Sequence, residues 1–270
     1  MRAFTVYQPY AYAIVAGLKG YETRPRRTHI RGRVAVHAGK GKPQFVSMPV
    51  SIAIPESAVL HYPDMMDAII PVIGTPKLPV WGGFNPLQFA IKAAKIDPKF
   101  NGGNYYDQPK QPNDTLRLCL EMMNVAAFQA GYYERTYKRD TTADTACYES
   151  VLGQATFEDK LDTVVEASVP VVDLNHWLYT CRMCLNFDVS RPYGGDLDAA
   201  LGRIKAKVLA IPSRLDVLHP WQFVQWVADR IVWLGGQAEC YPIDSDLGHM
   251  AGILETFRFD NKVRDFLSRL

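Results

Sequence analysis

The sequence predicts an α/β fold that carries a long helical insertion and is preceded by a short α+β segment. Three observations predict it. Short apolar runs bounded by turn residues recur at 68–74, 206–212 and 238–244, as in parallel strands buried on both faces. Between the last two, Trp221, Val224, Val227, Ile231 and Leu234 share one stripe of a helix that Gly235 and Gly236 are placed to stop. Between Asn85 and Arg203 the spacing gives helices at 114–130, 157–167 and 173–187, with no evident strand among them.

Taken in order, residues 12–18 read as a short helix and 32–38 alternate as a strand does. The character of the chain changes between Lys40 and Pro55, which divides it into a segment 1–42, a junction 43–55 and an α/β portion 56–270. Within that portion the helical stretch of about 85–203 is expected to form a lid. In open α/β folds ligands bind outside the carboxyl ends of the strands, and insertions there cover them.

Composition excludes several classes. Of 270 residues, 48% are hydrophobic and 21% charged, which rules out disordered, coiled-coil and fibrous chains. Net charge is only +2, but Arg24, Arg26, Arg27, Arg31, Arg33 and Lys40 face a single acid, Glu22, between Lys19 and Lys42. An anionic partner is therefore expected at the N-terminus and not along the whole chain. Five cysteines, an odd number in a chain of this size, read as reduced thiols in a cytoplasmic protein. Cys181 and Cys184 fall inside a helical pattern without a second ligand pair, so buried thiols are expected there and no metal site. The apolar run 4–17 is broken by Gln8 and Pro9 and reads as neither leader nor membrane span.

Two short segments carry the chemistry. Asp216 lies in 213–220 (SRLDVLHP), after one predicted strand, and His249 lies in 244–249 (DSDLGH), after the next. A carboxylate and an imidazole on successive strand ends are what an acid–base dyad needs. His219, just before Pro220, is expected to be an exposed residue at the entrance of the following helix.

These segments, together with 62–64 (YPD), 73–77 (IGTPK), 97–106 (DPKFNGGNYY) and 173–179 (DLNHWLY), resemble the homoserine O-acetyltransferase family of α/β-hydrolases. The resemblance runs to the C-terminus. It implies an incomplete α/β-hydrolase-type sheet, with Asp216 and His249 as the family's catalytic acid and base. It also implies acetyl transfer from acetyl-CoA, as co-substrate and not bound cofactor, to a small hydroxy amino acid through a serine acyl-enzyme. For the nucleophile, Ser47 and Met48 match the family's Ser-Met pair, while Pro49 and Val50 stand where the strained Gly-x-Ser-x-Gly turn has room for close packing. Ser47 is thus the candidate. A sheet short of its first strands exposes an edge that pairs readily, so homo-oligomers are expected.

Upstream, 17–24 (GLKGYETR) fits the Gly-x-Lys-x-x-Glu-x-Arg motif and resembles the start of an ASCH domain. That likeness implies RNA or polyanion contact through Lys19, Glu22 and Arg24. Two readings of the whole chain stay open: an O-acyltransferase or related serine hydrolase, and a catalytically inactive hydrolase-fold scaffold bearing an RNA- or polyanion-binding segment.

Overall fold

The structure is a computed structural model that describes residues 2–6, 34–38, 67–140 and 143–270. The helix expected at 12–18 lies outside the described residues. Strands β1 (Arg2–Val6) and β2 (Val34–Ala38) pair in parallel, with Arg2 opposite Val34.

A separate parallel sheet is built from β3 (Ala68–Ile69), β4 (Lys207–Ala210) and β5 (Ala238–Cys240), in that spatial order. Ala68 lies opposite Lys207 and Val208 opposite Ala238. Parallel neighbours cannot be joined by a hairpin, so each pair needs a crossover. Between β3 and β4 the crossover is the helical insertion: α1 (Phe89–Ile96), α2 (Asn113–Ala127), α3 (Ala130–Thr136), α4 (Thr156–Glu166), α5 (Leu174–Leu185) and α6 (Leu197–Leu201). Between β4 and β5 it is the single helix α7 (Trp221–Trp233), and α8 (Asp260–Ser268) closes the chain.

β4 is central, and its side chains show it. Val208 packs with Ile69, Leu201, Ile204 and Ile231 on one face, while Leu209 packs with Ile211, Ile243, Phe259 and Phe266 on the other. Burial on both faces explains the unbroken apolar run. The stop expected after α7 is a paired-turn cap. Gly235 takes φ 90°, its N–H reaches the Val232 carbonyl at 3.0 Å, and the Gly236 N–H reaches that of Ile231 at 2.9 Å.

The run 68–74 makes only two paired strand residues. Pro71 has no N–H for the ladder, and Ile73 sits at φ 53°, a left-handed conformation that a β-branched residue adopts only under tertiary constraint. Pairing still continues past Pro71 as a bridge from Val72 to Ile211, and the β4–β5 pair continues as a bridge from Ser213 to Ile243.

The helical layer has its own core, in which Leu116, Cys119 and Leu120 of α2 meet Leu174, Trp177, Cys181 and Cys184 of α5. Asp173 caps α5 by accepting the His176 N–H at 2.8 Å and also accepts the Tyr105 hydroxyl at 2.7 Å. The two ends of the layer meet at one antiparallel bridge, Lys77 to Asp188. It is flanked by Leu78 N–H to the Phe187 carbonyl (3.2 Å) and Val189 N–H to the Pro76 carbonyl (3.0 Å).

Candidate active site

The loops that leave β4 and β5 at their carboxyl ends run side by side, because the Arg214 N–H bonds the Ile243 carbonyl at 2.9 Å and the Ile243 N–H bonds that of Pro212 at 2.8 Å. This brings Asp216 and His249 together. The Asp216 Oδ2 atom lies 2.9 Å from His249 Nδ1, and both residues are 5% exposed. The other carboxylate oxygen, Oδ1, accepts the backbone N–H groups of Leu218 (2.8 Å) and His219 (3.1 Å). Asp216 is thus at once the turn residue of its loop and the partner of the imidazole.

Burial pushes the Asp216 carboxyl up, but the neighbouring His249, the bond to it and His219 outweigh this and hold the group below its ordinary value. The ionised carboxylate fixes the proton of His249 on Nδ1 and leaves Nε2 free to accept one.

His249 stands in a single turn, Gly248–Met250. Gly248 has φ 53°, and a side chain there would meet the Ala127 carbonyl oxygen at 3.1 Å. Glycine is required for both reasons. The elbow between α2 and α3 therefore lies directly against the His249 loop. Two further contacts tie it down. The Gln129 N–H bonds the Asp246 carbonyl at 3.1 Å, and the Gln129 side chain donates to the Leu215 carbonyl. Arg135 of α3 pairs with Asp246, and Phe128, Tyr132 and Met250 pack together beneath.

One expectation is corrected here. His219 is not an exposed helix-entry residue but is 4% exposed, with its ring stacked on that of His249 (centroids 5.3 Å apart, planes 24° apart). Asp216 draws the loop inward by taking the His219 N–H, so the side chain turns into the protein before α7 begins. Its Nδ1 lies 2.9 Å from Thr75 Oγ1, whose own proton goes to the Lys77 carbonyl at 2.7 Å. Thr75 can then only accept, which places the His219 proton on Nδ1. Among the described residues Nε2 is buried without a partner, an arrangement that costs about 1–3 kcal/mol. Burial, reinforced by His249 against the opposing pull of Asp216, pushes the His219 imidazole down to about 4. Thr75 carried a sequence signal, lying in 73–77, yet nothing in that segment pointed to histidine 219.

Of the other residues singled out in the sequence, Ser47, Lys19, Glu22 and Arg24 lie outside the described residues. Cys181 and Cys184 are buried free thiols of α5, and burial pushes the Cys184 thiol up to about 12. Among the described residues no three His, Cys, Asp or Glu side chains are grouped to hold a metal ion, and no helix is long and apolar enough to cross a membrane.

A parallel sheet with acid and histidine on consecutive strand-end loops and helices inserted before them matches known structures. Homoserine O-acetyltransferase from Bacillus anthracis superposes with a TM-score of 0.77 at 34% identity, covering 81% of this chain and 57% of that one. Esterase E22 superposes with a TM-score of 0.74 at 21% identity. The fold is that of the α/β-hydrolases. No family model matches the chain. Curated relatives within this fold include serine O-succinyltransferase of Xylella fastidiosa (strain M12), 28% identical over 215 residues, covering 78% of this chain and 57% of the relative. Homoserine O-acetyltransferase of Symbiobacterium thermophilum is 30% identical over 223 residues, covering 77% of this chain and 54% of the relative. This α/β-hydrolase chain is thus related to homoserine and serine O-acyltransferases and spans little more than half the length of those relatives.

Proposed function

We propose that the chain is an O-acyltransferase of the homoserine O-acetyltransferase type, with His249 as general base, Asp216 as its orienting acid and Ser47 as nucleophile. The observation that carries this reading is the buried 2.9 Å contact between His249 Nδ1 and Asp216 Oδ2, in a chain related to enzymes named for such transfers.

In the proposed cycle the serine oxygen attacks the thioester carbonyl of acetyl-CoA as His249 Nε2 takes its proton. The carbon–sulfur bond breaks, and the thiolate leaves with that proton. The hydroxyl of a small amino acid then gives its proton to His249, attacks the acetyl-serine carbonyl and displaces the serine oxygen, which recovers the proton. Water in place of the amino acid yields an esterase through the same steps. Asp216 stays ionised throughout and stabilises the imidazolium. The helices of about 85–203 act as the lid over this site, and residues 1–42 form a distinct ASCH-like segment in which Lys19, Glu22 and Arg24 contact RNA or another polyanion.

Incubation with p-nitrophenyl acetate, followed by intact mass and peptide mapping of wild type and His249→Ala, tests the reading. An acetyl adduct on Ser47 that disappears in the variant supports it. The absence of any adduct on the folded wild type rejects it in favour of the inactive scaffold.

A further inference from the structure

We propose that His219 is a positioning residue, whose ring, pinned by Thr75, holds the His249 imidazole in line with Asp216. The proposal rests on the reading of His249 as the base.

Both histidines are tied to one carboxylate. Asp216 Oδ1 takes the backbone proton of His219 and Oδ2 faces the ring of His249, so a shift of either oxygen moves both residues. The His219 ring then folds back over the His249 ring at 5.3 Å. A single hydrogen bond to a carboxylate leaves an imidazole free to rock about its Cβ–Cγ bond. A ring stacked on its face removes that freedom, provided the stacked ring is itself fixed. Thr75 fixes it, since its hydroxyl is committed to the Lys77 carbonyl and can receive only the His219 Nδ1 proton.

A purely space-filling role is a poor account of a histidine here. A leucine or phenylalanine would fill the volume without burying an Nε2 that has no partner among the described residues. What histidine alone adds is a donor toward Thr75 on a flat ring that presents its face to His249. Kept neutral by burial, that ring does not oppose the positive charge His249 acquires on taking a proton, and a π face beside a cation is favourable.

The test is proton NMR of the Nδ1 proton shared by His249 and Asp216, read as its exchange rate with water in the full chain. This readout needs no turnover. A wild type that exchanges slowly yet forms no acyl-enzyme would sink the proposed function while leaving the positioning role standing. Relative to wild type, His219→Ala is expected to speed exchange by about tenfold or more, in line with coupling between residues in contact. Thr75→Val should speed it by a smaller factor, and His219→Phe, which keeps a ring face but has no donor for Thr75, should exchange faster than wild type and about as fast as Thr75→Val. Wild-type exchange in a folded His219→Ala, or in Thr75→Val, overturns the proposal. So does His219→Phe exchanging as slowly as wild type, because a ring without a donor for Thr75 would then suffice. If His219→Ala does not fold, the other two variants decide.

Discussion

Asp216 gives one carboxylate oxygen to the backbone of its own loop and the other to His249, 2.9 Å away. Replacement by asparagine keeps the loop's acceptor but presents an amide to Nδ1, which favours the tautomer with the proton on Nε2. Asp216→Asn is therefore expected to slow formation of the proposed acyl-enzyme by about 10⁴-fold, as the same change does in a Ser-His-Asp triad, with the fold intact by circular dichroism. Single-turnover kinetics with p-nitrophenyl acetate measures it. A loss below about tenfold would remove Asp216 from the proposed mechanism.

Stability should fall on mild acidification, and His219 is the reason. Its ordinary value is 6.5 and its folded value about 4, so the unfolded chain binds a proton that the folded chain refuses. Where the unfolded state holds more protons, stability rises with pH. The contribution is complete above about 6.5 and is lost as pH falls toward about 4, amounting to a few kcal/mol on the order set by such a shift. Asp216, held below its ordinary 3.8, acts in the same direction at lower pH. Thermal midpoints at pH 7 and pH 5 should differ by less in His219→Gln, which cannot titrate, than in wild type. An unaltered difference would mean that His219 is charged in the fold.

Gly248→Ala tests the seat of His249. The left-handed backbone alone costs a residue with a side chain about 1–2 kcal/mol, and the added methyl lies 3.1 Å from the Ala127 carbonyl, so the elbow must also give. Calorimetry should show a destabilisation of at least about 1 kcal/mol, together with slower acylation. The contrasting control is Arg135→Ala. That residue is 63% exposed in its side chain, and its ion pair with Asp246 should contribute no more than about 1 kcal/mol.

Much of this was legible in the sequence, and the reasons differ from element to element. Residues 206–212 announced themselves because a central parallel strand is apolar on both faces, and α7 because its stripe and its glycine stop are local signals, whereas 238–244 holds the half-buried β5 at the end of the three-stranded order. Asp216 and His249 could be paired from their places after successive strands. His219 could not be placed. Its burial depends on a backbone bond to Asp216 and on Thr75, 144 residues earlier in the chain, and a histidine before proline at a helix entrance carries no trace of either. Residues 68–74 promised a full strand for the opposite reason: their apolar character was visible, but the left-handed turn at Ile73 is imposed by tertiary pairing.

The helical layer departs from the sheet at Lys77 and rejoins it at Asp188 through a single rung. Such a layer has the topology of a module set into a host at one socket. Helices inside it can be lengthened, shortened or replaced without changing the register of Ala68 against Lys207, because that register is fixed outside the socket. Exceptions include the elbow from Ala127 to Arg135, which touches the histidine loop, and Gly82, where a side chain would meet the Leu218 carbonyl oxygen at 2.6 Å. Changes within most of the helical layer should therefore leave the framework in place, provided the residues where the two meet are kept.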